Sequence, residues 1–75
     1  MATAALRLVT HWAIDELGIE RLHLITAPEN LPSQRVAERA GFTREGLLRA
    51  WLPTPHGRRD SLMFSLLHSD VRPGP

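Results

Sequence analysis

The chain contains no cysteine, no lysine and no tyrosine, and these absences exclude several kinds of site. Without cysteine there is no disulfide framework, no thiolate zinc site and no cysteine nucleophile. Apolar runs approaching the ~20 residues of a membrane-spanning helix are absent too. Residues 1–10 lack the long apolar segment and cleavage site of a signal peptide. From these features we expect a cytoplasmic protein that is not anchored in a membrane.

The length and the net charge of the chain limit the protein classes to which it can belong. All nine cationic side chains are arginine, and the net charge is only +1, which does not favour a strongly basic nucleic-acid-binding protein. The 75 residues, 43% of them hydrophobic, can form one modest core. Folding would bury roughly 60% of the surface of the unfolded chain. We expect one domain over residues 1–70 and a frayed tail over residues 71–75.

Ala4–Leu17 is predicted to form an amphipathic helix. Its polar side would carry Arg7, His11 and Asp15 at spacings of four residues, and Gly18 would end it in the left-handed conformation. The apolar residues expected in its buried stripe are Ala5, Leu6, Val9, Trp12, Ala13 and Leu17.

Asn30–Gly41 is predicted to form a second helix. Asn30 is a favourable N-cap, and Pro32 is tolerated in the first turn, where its missing N–H would have had no partner. Gly41 followed by Phe42 indicates a Schellman ending, with Phe42 folded back on the helix. The residues expected to be buried are Val36, Ala37 and Ala40.

Three segments are predicted to be strands: Arg21–Ala27, Arg44–Leu52 and Ser61–Leu67. The first carries apolar groups on both faces and is expected to be covered on both sides. A loop over Pro53–Gly57 would join the other two as an antiparallel pair. The fold class is therefore α/β, in the order α-β-α-β-β. If the last strand inserts between the other two, the result is a small mixed sheet with helices packed on it.

The N-terminus of the second helix is the best candidate for a binding site. Free backbone N–H groups and the positive end of the helix dipole favour an anion or a carbonyl-rich ligand. Asn30 could donate through its amide and Ser33 through its hydroxyl. A purely structural reading stays open, in which Asn30 caps the helix and Ser33 is merely exposed. Arg35 and Arg39, four residues apart, form either a phosphate clamp or a solvated face.

A metal site is not expected. The four histidines are His11, His23, His56 and His68, and none has ligand spacing to another histidine or to a carboxylate. The cluster Arg58, Arg59 and Asp60 is interpreted as a solvated turn and strand entry.

The run NLPSQRVAERAGFTREG, from Asn30 to Gly46, resembles the acetyl-CoA-binding B motif of the GCN5-related N-acetyltransferases (GNAT). The similar branch is the one that acetylates ribosomal-protein N-termini, whose pattern is N-x-x-S, a helix, then G-F-x-x-E-G. HWAIDELGIERLHL is similar to that family's third helix and fifth strand, and RRDSLMFSLL to its last strand. The resemblance extends over Ala2–Asp70.

This resemblance implies the C-terminal half of an acyl-CoA N-acyltransferase fold and a transfer of acetyl from acetyl-CoA to an amine, for example a protein N-terminus. Asn30 would bind the pantetheine arm or the backbone beside it, and Arg35 and Arg39 would meet CoA phosphates. Many relatives protonate the departing thiolate with a tyrosine seven residues after the asparagine. Ala37 occupies that position here, so the resemblance makes Ser33 the proton donor as well as a cofactor-binding residue.

The resemblance also implies that much of the family's domain is not represented in these 75 residues. The earlier strands and helices and the glycine-rich loop that holds the CoA pyrophosphate have no counterpart here. We therefore expect a truncated domain that does not turn over substrate alone. Its exposed strand edge would favour a homodimer.

Two alternatives stay open. VAERAGFTREGLLR resembles a helix-turn-helix, with Gly41 as the turn and Phe42–Ala50 as a recognition helix presenting Thr43, Arg44 and Arg49 to DNA. The other alternative is a noncatalytic fragment that binds CoA or a partner subunit.

Overall fold

The computed structural model describes residues 2–71, and their order of elements confirms the predicted α-β-α-β-β arrangement. The elements are α1 (Ala2–Leu17), β1 (Arg21–Thr26), α2 (Leu31–Arg39), β2 (Thr43–Thr54), β3 (Gly57–Leu67) and α3 (His68–Val71). The short helix α3 was not predicted. Of the tail predicted at 71–75, Val71 ends this helix, and residues 72–75 lie outside the described residues.

The three strands form one sheet in the order β1-β3-β2, so the last strand lies in the middle, as predicted. Both of its pairings are antiparallel, where the sequence had suggested a mixed sheet. The hairpin is also longer than predicted, because Thr54 pairs with Gly57 and Pro53 with Arg58. Pro53 is tolerated because β2 is an outer strand. The glycine that follows the two-residue turn has φ +110°.

Helices α1 and α2 pack on one face of this sheet and enclose the core. The fully or nearly fully buried apolar residues are Ile14, Ala37, Ala40, Phe42, Leu62, Phe64 and Leu66. Leu62, Phe64 and Leu66 alternate along β3, which accounts for their common face. The opposite face has no helix against it within residues 2–71. His23 and Ile25 are accordingly exposed, and the expectation that β1 is covered on both sides was wrong.

The buried face of α1 differs from the predicted one. Ile14 is fully buried and Thr10 is nearly so, whereas Val9, Trp12 and Leu17 are more than half exposed. The hydroxyl of the buried Thr10 has a partner, because it donates to the Leu6 carbonyl at 2.7 Å. Apolar residues occur on more than one side of this helix, so its periodicity alone did not decide which side meets the sheet.

Both ends of α2 are as predicted. The side-chain oxygen of Asn30 accepts from the backbone N–H of Ser33 at 3.2 Å, which caps the helix. At the other end, Phe42 N–H donates to the Ala37 carbonyl and Gly41 N–H to the Glu38 carbonyl. This pair of bonds is the Schellman motif, and it places Phe42 in the core.

Candidate functional site

The backbone N–H groups in the first turn of α2 are all hydrogen-bonded to other groups of the chain. Leu31 N–H donates to the Glu29 carbonyl, Gln34 N–H donates to the Asn30 carbonyl, and Pro32 has no N–H. Since Ser33 N–H is bound by the Asn30 side chain, no free amide is left in the first turn. The prediction of free N–H groups that would bind an anion was therefore wrong. Only side chains and the dipole remain for a ligand at this end of the helix.

A groove runs between the start of α2 and the outer strand β1. Its volume is about 350 Å³, and it is lined by Ala2, Leu24, Ile25, Thr26, Pro32, Ser33 and Val36. The lining is mainly apolar, and the Thr26 hydroxyl is already used on the Ala27 carbonyl. The hydroxyl of Ser33, which is half-buried, has no hydrogen bond within residues 2–71. Ser33 thus supplies the available hydroxyl in an apolar groove.

The free side of β1 borders the same groove. Because β1 pairs only with β3 among residues 2–71, alternate residues of the strand direct their N–H and C=O groups away from the sheet. An extended chain with amide groups could hydrogen-bond to that edge while its methylene groups contact Leu24 and Val36. The groove therefore suits a flexible ligand built from short alkyl and amide units.

Asn30 lies beside the groove. Its oxygen caps α2, as the structural reading expects, but Ser33 is half-buried in the groove and not merely exposed. The side-chain nitrogen of this exposed residue makes no hydrogen bond within the described part of the chain. It can donate to a ligand carbonyl while the cap stays intact.

Arg35 and Arg39 do not line the groove. Both are exposed on the outer side of α2, and neither forms an ion pair within residues 2–71. The structure therefore separates the four predicted site residues: Ser33 is in the groove, Asn30 is next to it, and the two arginines are on an adjacent surface. Contact of these arginines with phosphate stays a prediction.

Sequence reasoning missed Gln34 and Arg44. Gln34 is only 5% exposed, although it lies on a short helix where a glutamine is expected to face solvent. It donates to the Pro28 carbonyl at 2.6 Å and accepts from Arg44 at 2.8 Å. No motif marks either residue, and only the packing of α2 against β2 brings them together.

Other chemical possibilities find no support in the described residues. Residues 2–71 contain no group of three histidine, cysteine or carboxylate side chains that could hold a metal ion. No described helix is both long and apolar enough to cross a membrane. The proposed recognition helix over Phe42–Ala50 was wrong, because this segment forms most of β2, where Leu47 and Leu48 pair with β3.

Residues 1–43 match the family model described as the acetyltransferase (GNAT) domain. The chain belongs to the GNAT acetyltransferase family. The order of elements is thus that of a GNAT protein, as the resemblance of the run from Asn30 to Gly46 implied.

Individual relatives agree with this assignment. The chain is 37% identical over 68 residues to the probable N-acetyltransferase YjcK of Bacillus subtilis (strain 168), covering 91% of this chain and 38% of YjcK. It is also similar to a Vibrio cholerae structure assigned as a ribosomal-protein-serine acetyltransferase, with 30% identity and a TM-score of 0.77. That match covers 88% of this chain and 38% of the Vibrio cholerae chain. The Mycobacterium smegmatis RimJ structure, solved with CoA-disulfide, is 33% identical with a TM-score of 0.79. That match covers 88% of this chain and 32% of the RimJ chain.

These matches confirm the acyl-CoA N-acyltransferase fold and the likeness to ribosomal-protein acetyltransferases. The chain spans about two fifths or less of the length of the relatives that it matches.

Proposed function

We propose that this GNAT protein binds the pantetheine arm of acetyl-CoA in the groove between α2 and β1. The observation that carries the proposal is the Ser33 hydroxyl, which has no partner within residues 2–71 and lies among apolar side chains beside a free strand edge. Two short amide units joined by methylene groups match such a surface. The CoA bound by the similar RimJ protein carries this arm and supports the choice of ligand.

The proposed reaction is the transfer of acetyl to an amine. The neutral amine nitrogen attacks the thioester carbonyl carbon, and the carbon–sulfur bond breaks. The Ser33 hydroxyl donates its proton to the departing thiolate and regains one from the amine through water. Asn30 would donate from its side-chain nitrogen to an amide carbonyl of the arm.

The proposed acceptor class is a protein N-terminus. Its support is the similarity to the ribosomal-protein-serine acetyltransferase, together with the G-F-T-R-E-G sequence after α2.

The test is a titration of the isotope-labelled chain with acetyl-CoA, followed by two-dimensional amide NMR. We expect shifts concentrated at residues 24–26 and 30–36, which surround the groove. Adenosine diphosphate in place of acetyl-CoA should leave the groove residues Leu24, Ile25, Thr26, Ser33 and Val36 unshifted, since it lacks the arm, although its phosphates can still shift Arg35 and Arg39. Shifts with both ligands at Arg35 and Arg39 alone would contradict the groove as the site.

Ser33→Ala separates binding from chemistry. We expect this variant to bind acetyl-CoA more weakly, because the groove loses its hydroxyl, and to transfer acetyl more slowly even at saturating acetyl-CoA, because the proton donor is lost. Transfer would be measured on a short peptide with a free N-terminal serine. Ser69→Ala, an exposed serine outside the groove, is the matched control. If the unsubstituted chain binds acetyl-CoA without transferring acetyl, the noncatalytic alternative is correct for this chain.

We also propose that, when no acetyl-CoA occupies it, the free edge of β1 pairs with a second copy of the chain. The two outer strands differ in how well they are protected. β2 carries Pro53 and two breaks of register, at Arg44/Gly46 and Leu48/Leu52, which hinder pairing with another strand. β1 has an unbroken register over its six residues and an exposed Ile25. Such a regular edge is the better template for strand addition.

A further inference from the structure

Gln34 links three parts of the chain from inside the protein. Successive helix residues are rotated by about 100°, so Gln34 points into the interior while its neighbour Ser33 faces the groove. Its amide nitrogen binds the Pro28 carbonyl in the β1–α2 connection. Its amide oxygen binds the guanidinium of Arg44 at the start of β2.

The neighbours of Gln34 permit only one orientation of its amide. Pro28 presents a carbonyl, which needs a donor, and Arg44 presents N–H groups, which need an acceptor. An amide turned by 180° would place oxygen against oxygen and N–H against N–H. Glutamine supplies both functions at once at any pH, which a carboxyl side chain of the same size does only when it is protonated.

Arg44 makes two further contacts, although its side chain is about half exposed. Its guanidinium lies 5.5 Å from the centre of the Phe64 ring, which is fully buried in the middle strand. Glu38 of α2 lies 3.6 Å from the same guanidinium. The bond to Gln34 therefore connects the β1–α2 turn to the start of β2 and, through the contact of Arg44 with Phe64, to the core.

The turn that Gln34 holds determines where the site residues lie. Asn30 N–H donates to the Ala27 carbonyl, so residues 27–30 form one closed turn that contains Pro28. Asn30 then binds the backbone of Ser33. A shift of Pro28 would move this turn, and with it the Asn30 amide and the wall of the groove.

We propose that Gln34 is a positioning residue of the candidate site, acting through Pro28 and Arg44 to fix the Asn30 amide relative to Ser33. The expected effect of Gln34 on ligand affinity rests on the proposed binding of acetyl-CoA. The expected effect of Gln34 on the β1–α2 turn does not depend on that proposal.

The test compares Gln34→Met and Gln34→Glu with the original full chain. Gln34→Met keeps the volume and loses both bonds. We expect it to weaken acetyl-CoA binding about tenfold, which corresponds to about 1.4 kcal/mol. Hydrogen exchange at the Asn30 and Ser33 amides should become faster in the unliganded protein.

Gln34→Glu gives a readout that a merely structural role would not produce. The introduced carboxylate still accepts from Arg44 but cannot donate to Pro28. Once protonated, it can do both. We therefore expect weakened binding at about pH 7, and an affinity ratio to the original chain that returns toward one as the pH falls through the carboxyl range near about 4.

Thr10→Val is the matched control, because Thr10 is a buried polar residue with a backbone bond in α1, away from the groove. It should leave acetyl-CoA affinity unchanged. Equal weakening by Thr10→Val and Gln34→Met would overturn the inference in favour of general destabilisation. Unchanged affinity and exchange in Gln34→Met would overturn it as well. If the original chain does not bind acetyl-CoA, the proposed function fails for this chain, while faster exchange in Gln34→Met would still establish the effect on the turn.

Discussion

Arg21 and Glu45 form a two-point ion pair that joins the two outer strands across β3. The Arg21 nitrogens lie 3.0 and 2.8 Å from the two carboxylate oxygens of Glu45. Ser65 of the middle strand donates its hydroxyl to the same carboxylate. The three residues lie on the sheet face away from the helices, so one carboxylate connects all three strands where no helix packs.

This arrangement predicts an acid dependence of stability. The hydrogen bond from Arg21, and then that from Ser65, lowers the pKa of Glu45 to about 2 from its ordinary value of 4.5. Because the folded-state pKa is depressed, the carboxylate stabilises the fold fully above about pH 4.5, and this contribution is lost as the pH falls toward 2. Glu45→Gln should therefore unfold at a lower temperature than the original chain near neutral pH.

The difference between the two melting temperatures should shrink over that acid range, as followed by circular dichroism. Glu16→Gln, on the exposed side of α1, is the control and should change the melting temperature little at any pH. A constant difference between the Glu45→Gln protein and the original chain down to pH 2 would contradict the stated role of the carboxylate.

The orientation of α1 gives a second prediction. Ile14 is fully buried, whereas Val9 is 63% exposed. Ile14→Val should lower the free energy of unfolding by about 0.5–1.5 kcal/mol, because a methylene group is lost from the core. Val9→Ala should change it by less than about 0.5 kcal/mol. Urea denaturation measures both, and the reverse order would show that α1 packs through its other apolar side.

Ala50 provides a third prediction, because it has a positive φ of 49° in the irregular part of β2. The strain is held by two contacts: its N–H donates to Asp60 at 2.8 Å, and its carbonyl accepts from Arg58 at 2.6 Å. Ala50→Gly removes a left-handed penalty of about 1–2 kcal/mol. It also raises the entropy of the unfolded chain, which lowers the free energy of unfolding by about 0.4–1 kcal/mol.

The net result expected for Ala50→Gly is a gain of up to about 1 kcal/mol in the free energy of unfolding. Ala5→Gly, at an exposed position inside α1, should instead lose about 1 kcal/mol. Guanidinium denaturation of the two variants checks the opposite signs. A loss of stability in Ala50→Gly would show that the positive φ is not strained.

The edge of β1 gives a fourth prediction, on association. If two copies pair through this edge, Ile25→Lys should abolish the dimer, since a charged side chain on an edge strand opposes strand addition. Leu47→Lys, at an exposed position on the interrupted strand β2, should leave it intact. Sedimentation velocity over a concentration series measures both. A monomeric original chain at all concentrations would refute pairing through β1.

Much of the fold was predictable because local signals fix the ends of its elements. Asn30 caps α2, and the left-handed φ of Gly18 and Gly41 follows each helix, as predicted. Leu62, Phe64 and Leu66 alternate along β3 and so share one face, which is the buried face. For the site, the N-x-x-S pattern led to Ser33, which does lie in a groove, although its catalytic role stays a prediction.

The sequence by itself thus determined the order of the main elements, the capped ends of α2 and the family, because caps, glycines and short motifs act over a few residues. Only the tertiary structure decided which side of α1 is buried, that the amides of the α2 N-terminus are already bound, and that Gln34 meets Arg44. Each of these depends on contacts between segments whose relative placement no local preference specifies. A helix with apolar residues on two sides can pack through either, and a buried glutamine is stable only where packing supplies both a donor and an acceptor.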